Sequence, residues 1–392
     1  MRVAYFIFSN EHGTGGHHHS LKTISNSLQE NNDVIIERHI VNLGIAPSPV
    51  LDSMLNYKFY KINELTMLFN IFKIIWYCHK SKIELLHAFD ANAYFYVRII
   101  SFILGIPSLY TKCGGSNIKY NPKVNIATTF SGENYDFLSS RHRHRHLFLI
   151  ENRVASFDQD SEMIQKLRKK FKTDNKTVFL RVIRISNYYK SSILSTIDFV
   201  SNFPNSVLVL VGSIYDSSLQ ERILLSAKEN DVRIILLSSK EYTKDAKRII
   251  DFGDVILGTG RAAMEAMSTG KMLLSFVKNL DYPVIVDKDN LEDFKYYNFS
   301  ERVKLSKIPS KKFIVNNVRV NDKQANGLSE EFVKYYLVGT RSKEYIDIYN
   351  KSICYENINL NIADFIINFF YHLLRASNVY KMAMRLRGKL FS

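Results

Sequence analysis

Residues 254–276 read DVILGTGRAAMEAMSTGKMLLSF. Short apolar runs at 255–257 and 272–276 predict two buried strands, and the run between them, 262–268, predicts a helix. Gly270 is placed to end that helix before the second strand begins. A helix that connects two short apolar strands is typical of βαβ units around a parallel sheet, so this stretch indicates an α/β fold.

The turn between the first strand and the helix, Gly258-Thr259-Gly260, is a candidate phosphate site. Glycine lets backbone amides approach a ligand, and Arg261 opens a helix whose N-terminus favours negative charge. Glu265 lies one turn into the helix and can reach ribose hydroxyls. The alternative interpretation is a packed turn followed by a surface glutamate.

The same alternation of short apolar runs and longer amphipathic segments occurs twice along the chain, on either side of a gap at 130–171. It predicts two doubly wound, Rossmann-like domains, 1–155 and 156–340, followed by a helical segment, 341–392. Ligands of such folds bind beyond the carboxyl ends of the strands. Strands are predicted at 3–8, 34–40, 85–88 and 108–111, and again at 178–181, 207–211, 233–237, 255–257 and 272–276.

Two cations follow the first predicted strand of the second domain. The sequence LRVIRISNYYKSSI at 180–193 places Arg184 and Lys190 in a loop that leads into a helix. An arginine can fork onto phosphate oxygens and a lysine supplies a point charge, which is what a pyrophosphate needs. As an isolated pair, the two cations are also compatible with an ordinary solvated surface.

A second glycine-rich loop follows the first strand of the chain. It contains Gly13, Gly15 and Gly16, and Ser20 is placed to cap the next helix. The loop lacks both the G-x-G-x-x-G spacing and a G-K-[ST] ending, so a flexible turn and a ligand loop are equally good interpretations.

Histidines cluster at His17-His18-His19 and in RHRHRH at 141–146. Three adjacent residues on a turn point in different directions and no acidic motif completes a ligand set, so we expect no metal site. One of these histidines is instead expected to face a substrate. The second run is interpreted as a solvated basic segment, with contact to an anion or lipid headgroup as the second choice.

The 392 residues carry a formal charge of +15, which attracts phosphates, nucleic acid or anionic membranes. Three cysteines are too few for a disulfide framework and favour a reducing cytoplasm. The N-terminus reads as a buried strand and not as a signal peptide. No apolar stretch reaches the ~20 residues that a membrane-spanning helix needs.

Together the motifs resemble those of the GT-B glycosyltransferases of family 4. Four elements match in order over residues 1–276: GTGGHHHS at 13–20, IELLHAFDANAYF at 83–95, FLIENRVASFD at 148–158, and the pair RISNYYK at 184–190 and GTGRAAMEAMSTGK at 258–271. The resemblance implies two Rossmann-like domains that face each other across a cleft, with the last helix returning to the N-terminal domain.

The resemblance also implies an activity: transfer of a sugar from a nucleotide diphosphate sugar, with retention and with neither a metal ion nor another cofactor. Arg184 and Lys190 would neutralise the leaving diphosphate, and Glu265 would hold the ribose. The residues implied to line the phosphates and the sugar are Gly258, Thr259, Gly260 and Arg261, with Gly15 and Gly16 closing from the N-terminal domain.

The chain departs from the family pattern at the sugar. Many members have a Glu-x7-Glu motif, whereas Leu257 stands eight residues before Glu265. Backbone groups or Arg261 are therefore expected to contact the sugar.

A second departure lies at YTKCGGSN, 110–117, where many members have a histidine. Lys112, Asn117 and Glu133 are the candidates for the polar partner near the anomeric centre. His87 is expected to be structural, and Cys113 is not expected to be a nucleophile because no partner histidine is evident.

The C-terminal sequence SNVYKMAMRLRGKLF, 377–391, mixes apolar residues with lysines and arginines. This pattern predicts either a basic amphipathic helix on an anionic membrane or a helix packed on the protein. With the membrane interpretation, the acceptor would be lipid-linked. We expect a cytoplasmic enzyme, peripheral to the inner face of the membrane, that acts in bacterial cell-surface polysaccharide or glycolipid synthesis on a saccharide or lipid-linked acceptor.

Three other functions are open. A degenerate GT-B partner subunit would explain the missing glutamate and histidine. A nucleotide-sugar epimerase would share the phosphate site but needs acid and base carboxylates, of which no clear pair is visible. A basic nucleic-acid-binding protein would explain the charge, but the chain has no recognisable nucleic-acid-binding motif.

Overall fold

The computed structural model describes residues 1–10, 13–30, 34–63, 66–117, 124–141, 144–318, 328–340, 342–354 and 366. Contacts divide the chain into two compact units. Unit 1 comprises Met1–Arg153 and the described residues beyond 341, and unit 2 comprises Val154–Thr340.

Unit 1 begins with β1 (Arg2–Ser9), α1 (Gly16–Gln29), β2 (Glu37–Gly44), β3 (Tyr57–Lys61), α2 (Met67–Lys80), β4 (Leu85–Ala88), α3 (Ala91–Leu104), β5 (Ser108–Lys112), β6 (Val124–Thr129), α4 (Gly132–Ser139) and β7 (His144–Leu149). In the part of the chain that the structure describes, these strands form one seven-stranded parallel sheet in the order β3-β2-β1-β4-β5-β6-β7.

Unit 2 contains α5 (Ser161–Phe171), β8 (Thr177–Val182), a 3-10 turn (Asn187–Tyr189), α6 (Lys190–Val200), β9 (Ser206–Val211), α7 (Ser217–Glu229), β10 (Arg233–Leu237), α8 (Lys240–Thr243), a second 3-10 segment (Ala246–Phe252), β11 (Val255–Leu257), α9 (Arg261–Met267), β12 (Met272–Ser275), β13 (Val284–Ile285), α10 (Leu291–Tyr296), α11 (Lys311–Asn317), α12 (Leu328–Tyr335) and a third 3-10 turn (Val338–Thr340). Among the described residues its sheet has six strands in the order β10-β9-β8-β11-β12-β13, and only β13 runs antiparallel to its neighbour.

The last described helix, α13 (Ser342–Cys354), packs on unit 1. Arg153 donates from Nη2 to Glu344 Oε2 at 2.8 Å, and the guanidinium is almost completely buried. On the same helix, the Tyr349 hydroxyl lies 2.8 Å from His87 Nδ1 in β4. An ion pair from a buried arginine and a buried hydrogen bond therefore hold the helix at a defined register on the sheet.

The sheet of unit 1 has an apolar core on each face, because successive side chains of a strand point to opposite sides. Tyr5 and Ile7 of β1 pack in the cluster that includes residues of α1 and α13. Phe6 packs in the cluster that includes residues of α2 and α3. Helices therefore cover both faces, as the near-continuous apolar strands require.

The predicted α/β class with two parallel-dominated sheets is confirmed. Four strands, β3, β6, β7 and β13, were not predicted from the sequence. The last residues of the RHRHRH run, which was predicted as a solvated basic segment, open β7 and pair with β6. The predicted cap at Ser20 is also wrong, since α1 already begins at Gly16 with Gly15 as its N-cap.

The amphipathic surface predicted at 377–391 lies outside the described residues. Of the helices that the structure describes, none has the length and apolar character needed to cross a bilayer.

Candidate functional site

The predicted residues of unit 2 meet at one edge of its sheet. β8 and β11 are neighbouring parallel strands with Arg181 opposite Leu257. Arg184 follows β8, and the turn Gly258-Thr259-Gly260 follows β11. Because the carboxyl ends of parallel neighbours share an edge, the two segments that the sequence singled out lie side by side.

The turn after β11 needs glycine at two positions for different reasons. Gly260 has φ of 55° and ψ of −131°, a conformation that residues with a Cβ rarely adopt. A Cβ on Gly258 would come within 2.9 Å of the backbone nitrogen of Ala263 in α9. The Gly260 N–H donates to the Phe299 carbonyl at 2.6 Å, which fixes the turn against the segment after α10.

Two helical N-termini open onto this edge without a side-chain cap. Ser186 precedes the 3-10 turn that leads into α6, and Gly260 precedes α9; neither provides a side-chain hydrogen bond to the first turn. By contrast, Asp216 caps α7 by accepting from the Leu219 N–H at 3.1 Å. The uncapped amides leave both helix ends suited to bind an anion.

Arg184 and Lys190 add full positive charges at the first of these helix ends. Arg184 is exposed, and its Cζ lies 5.8 Å from the centre of the Tyr189 ring. Lys190, half-buried, is the first residue of α6. Neither cation forms a salt bridge with a residue in the described parts of the chain, so both charges are available to a ligand.

Arg261 differs from these two cations because it already has an acidic partner. Its Nε donates to Glu265 Oε1 at 2.9 Å, one turn along α9, and both side chains are about nine-tenths buried. Burial raises the pKa of Glu265, and the positive charges of Arg261 and Lys247 oppose that rise. A carboxylate that is held in this way presents a fixed acceptor to a ligand hydroxyl.

Arg181 is a residue of this edge to which the sequence analysis gave no role. Its buried guanidinium donates to the Ser192 carbonyl and to Thr196 Oγ1, both at 2.6 Å, and to Glu301 Oε1 at 3.0 Å. Burial lowers the pKa of Arg181 to about 10, while the negative charge of Glu301 opposes that shift. Arg181 thus holds the start of α6 against β8, and the signal for it was an arginine inside the apolar run TVFLRV.

In unit 1, a buried polar network holds the glycine loop after β1. Ser48 donates from Oγ to the Gly13 carbonyl at 2.5 Å, and Asn42 Oδ1 accepts from the Ser48 N–H at 2.8 Å. Asn42 Nδ2 donates in turn to Ser9 Oγ at 2.7 Å. Gly13 has φ of 56°, and a Cβ there would lie 2.7 Å from the Ser48 Cα. Gly13 is therefore held in a defined position against Ser48.

The three adjacent histidines form part of the first turn of α1 and do not lie in a loop. His18 is buried and its Nε2 lies 2.8 Å from Ser9 Oγ. Burial lowers the pKa of His18 to about 2, and the neighbouring His17 and His19 add to the effect. His18 is thus a neutral structural group. Within the described ranges, no group of His, Cys, Asp or Glu has the geometry of a metal site.

The structure brings together the three candidates for the polar partner near the sugar. Lys112 ends β5 and donates from Nζ to the Ser116 carbonyl at 3.3 Å. Asn117, in the same loop, donates to the Glu133 carbonyl at 3.2 Å and accepts from Asn134 Nδ2 at 2.8 Å. Glu133 is in the first turn of α4, which follows the neighbouring strand β6. All three lie at the carboxyl edge of the unit 1 sheet.

His87 and Cys113 have structural surroundings. His87 is completely buried between the Tyr349 hydroxyl at 2.8 Å and Thr111 Oγ1 at 2.7 Å, and burial lowers its pKa to about 3. The Cys113 thiol donates to the Phe89 carbonyl at 3.1 Å, and burial raises its pKa well above the ordinary value. A buried neutral imidazole with two hydrogen-bond partners suits the structural role expected of His87, and a thiol that stays protonated is a poor nucleophile.

Comparisons with solved structures identify the fold. HepE from Anabaena, in complex with UDP and glucose, is 15% identical with a TM-score of 0.66, and the match covers 89% of this chain and 99% of HepE. The lipopolysaccharide outer core galactosyltransferase WaaB, in its apo form, is 14% identical with a TM-score of 0.55 over 90% of this chain and 99% of WaaB.

UDP-GlcNAc 2-epimerase from Neisseria meningitidis, bound to UDP-GlcNAc, is 15% identical with a TM-score of 0.50 over 90% of this chain and all of the epimerase chain, 100%. No protein-family model matches the sequence, and no curated protein matches it. The architecture is that of the GT-B glycosyltransferases.

Proposed function

We propose that this protein is a retaining glycosyltransferase that moves a hexose from a nucleotide diphosphate sugar to a saccharide or lipid-linked acceptor. The observation that carries the proposal is in unit 2: Arg184 and Lys190, without salt bridges to described residues, stand beside helical N-termini that no side chain caps. This combination suits a diphosphate, which needs several donors and positive charges at one place.

In this proposal, Arg184 and Lys190 stabilise the charge that develops on the leaving diphosphate. Gly258, Thr259 and Gly260 bring backbone amides to the phosphates and the sugar, and Arg261 presents Glu265 to the ribose hydroxyls. Lewis-acid help from a metal is not required by this arrangement, so we expect activity in the presence of EDTA.

For unit 1 we propose a role in binding the acceptor and the transferred sugar. Lys112, Asn117 and Glu133 are the polar groups assigned to the sugar, and Gly15 and Gly16 allow the start of α1 to approach it. HepE was solved with UDP-glucose as well as with UDP, and WaaB is a lipopolysaccharide galactosyltransferase. UDP-hexoses are therefore the first donors to test. The first acceptors to test are saccharide or lipid-linked precursors of bacterial cell-surface glycans, in the cytoplasm or at the inner face of the membrane.

Calorimetric titration tests the donor site. The purified protein is titrated with UDP, GDP, ADP and CMP in the presence of EDTA, and the titration is repeated with Arg184→Ala and Glu265→Ala. The proposal expects selective binding of one nucleotide, weakened by both substitutions. A folded protein that binds none of the four would refute the donor site and would favour the inactive partner subunit or a nucleic-acid-binding protein.

A nucleotide-sugar epimerase is the second candidate, because one GT-B structure similar to this chain is an epimerase bound to UDP-GlcNAc. Incubation with a UDP-hexose alone separates the two functions. An epimerase converts the free nucleotide sugar to its epimer without an acceptor, whereas the proposed transferase leaves the sugar unchanged until an acceptor is added.

A further inference from the structure

Helix α2 exposes an apolar face that nothing in the described parts of unit 1 covers. Leu68, Phe69, Phe72 and Trp76 are between 61% and 69% exposed. Their spacing of three to four residues places them on one side of the helix. Single exposed apolar residues are common on proteins, but contiguous patches of large ones mark interaction surfaces.

The opposite side of α2 is packed into the core of unit 1 through Ile71, Ile74 and Cys78, which are almost fully buried. α2 is therefore apolar on both sides, whereas α5 of unit 2 buries Leu167 and carries lysines on its outer side. Of these two helices, α2 is the one whose outer side has apolar area that a partner could cover.

The neighbouring helix α3 also exposes large apolar residues. α3 packs against α2, and its last turn exposes Phe102 and Ile103 at 66% and 53%. We call the exposed residues of the two helices the α2–α3 face, which consists of Leu68, Phe69, Phe72, Trp76, Phe102 and Ile103.

The charges on these helices are of one sign. Neither MLFNIFKIIWYCHK nor ANAYFYVRIISFIL contains an acidic residue. Lys73 Nζ lies 4.2 Å from the centre of the Phe69 ring, and Lys80 Nζ lies 4.9 Å from that of Trp76. Lysines set among exposed aromatic and aliphatic side chains match a surface that has anionic groups above an apolar layer.

We propose that the α2–α3 face docks on the surface of an anionic lipid bilayer. Phenylalanine and tryptophan side chains insert at the boundary between headgroups and acyl chains, and Lys73 and Lys80 contact the lipid phosphates. A second protein copy is a poorer partner, because a lysine-bearing face without acidic residues would meet its own positive charge. Membrane docking goes beyond donor binding and can succeed or fail independently of it.

The single tryptophan of the chain gives a direct test, because it lies on this face. Trp76 emission of the full chain is measured with vesicles of phosphatidylcholine alone and of equal amounts of phosphatidylcholine and phosphatidylglycerol. The proposal expects a blue shift with the anionic vesicles, quenching when the acyl chains carry bromine, and loss of both effects in high salt.

Three outcomes would overturn the proposal. The first is a protein that neither sediments with anionic vesicles nor changes its emission. The second is a protein that sediments while the Trp76 emission stays constant, because another segment would then bind the lipid. The third is a blue shift without lipid that grows with protein concentration, which would assign the face to self-association.

Matched variants test which side chains bind. Phe69→Ser with Phe72→Ser should lower the vesicle partition coefficient by at least about tenfold, since each removes a large apolar side chain. The control, Ile308→Ser with Phe313→Ser, removes exposed apolar groups of unit 2, at 62% and 56%, and should leave binding unchanged. Equal losses in both variants would contradict the assignment.

The electrostatic part has its own pair of variants. Lys73→Gln with Lys80→Gln should weaken binding to anionic vesicles by roughly tenfold or more, because each substitution removes one attraction between a lysine and the anionic lipid surface. Lys169→Gln with Lys170→Gln, on exposed positions of α5, changes the net charge equally and should have little effect. Nucleotide titration of all four variants should match the wild type, which separates a defect in lipid binding from one in the donor site.

Discussion

Arg261 and Glu265 form a buried ion pair one turn apart on α9, with Nε of the arginine 2.9 Å from Oε1 of the glutamate. Each residue was a separate candidate ligand in the sequence. In the structure they act as a unit, because the arginine orients the carboxylate and the carboxylate takes up part of the charge of the arginine. Substitution of either residue is therefore expected to change the position and the effective charge of the other side chain.

Glu265 should make stability depend on pH in a defined direction. Burial raises its pKa. Because the folded state holds the Glu265 proton more tightly than the unfolded state, the protonated carboxyl stabilises the fold at a pH below the ordinary pKa of glutamate. This contribution is lost as the pH rises through the raised pKa of the folded state.

Urea unfolding of the wild type and Glu265→Gln from roughly pH 4.5 to pH 7 measures this effect. Glutamine keeps an acceptor for Arg261 and does not ionise, so the wild type should lose stability relative to the variant as the pH rises. Parallel pH profiles would contradict the prediction.

Removal of the Arg184 guanidinium should weaken binding of the nucleoside diphosphate. Charge-assisted hydrogen bonds contribute about 1.5–3 kcal/mol, so Arg184→Ala should raise the Kd by about 10- to 100-fold. Arg222→Ala is the control, since Arg222 is an exposed arginine of α7 in the same unit. A similar Kd for both variants would mean that the positive charge of Arg184 does not contribute to ligand binding.

Lys190→Ala should act in the same direction with a smaller effect and a stronger dependence on salt, because an ammonium group acts as a point charge. Calorimetry at low and high ionic strength measures it. Lys228→Ala, at an exposed position on α7, should leave the affinity unchanged. Failure of Lys190→Ala to alter the Kd at low salt would remove this residue from the site.

Gly212→Ala should destabilise unit 2. A Cβ at this position, directly after β9, would lie 1.8 Å from the Ile183 carbonyl oxygen. Relief of that overlap requires backbone movement next to Arg184, at an expected loss of about 1–3 kcal/mol in unfolding free energy. Gly339→Ala, where no atom lies within 4 Å of the added Cβ, is the control. Equal stability of the two variants in urea would show that the loop after β8 adjusts freely.

His87 should make unit 1 sensitive to acid. Its pKa falls from 6.5 to about 3 on burial, so the folded state takes up fewer protons than the unfolded state between these values. Above pH 6.5, His87 is neutral in both states and the folded protein keeps its full stability. As the pH falls from 6.5 towards about 3, the unfolded state gains a proton that the folded state does not, so the free energy of unfolding decreases.

Tyr349→Phe tests the contact between His87 and α13 at neutral pH. The variant leaves His87 Nδ1 without its tyrosine partner and should cost about 1–3 kcal/mol. Unfolding free energies at pH 7.5 should show this loss, and the acid sensitivity should persist because the imidazole stays buried. No change in stability would show that α13 is held by other contacts.

The sequence predicted much of unit 2, because its strands are short apolar runs between glycines and amphipathic helices. The predicted strands 233–237 and 255–257 coincide with β10 and β11. The glycine turn after β11 was also recognisable, since its glycine spacing is local. In unit 1, β3 and β7 escaped notice because their sequences, YKFYK and HRHLFL, are rich in polar residues and lie at the edges of the sheet.

The sequence by itself determined the α/β class, most of the strands and the residue types suited to bind a diphosphate, because these depend on local periodicity and side-chain chemistry. The tertiary structure alone decided which charges are already paired. Arg181 is bonded to Glu301, 120 residues away, and Arg153 to Glu344, 191 residues away. It also decided which side of α2 no described residue covers, since a helix with apolar residues on two sides reveals its exposed side only when its neighbours are in place.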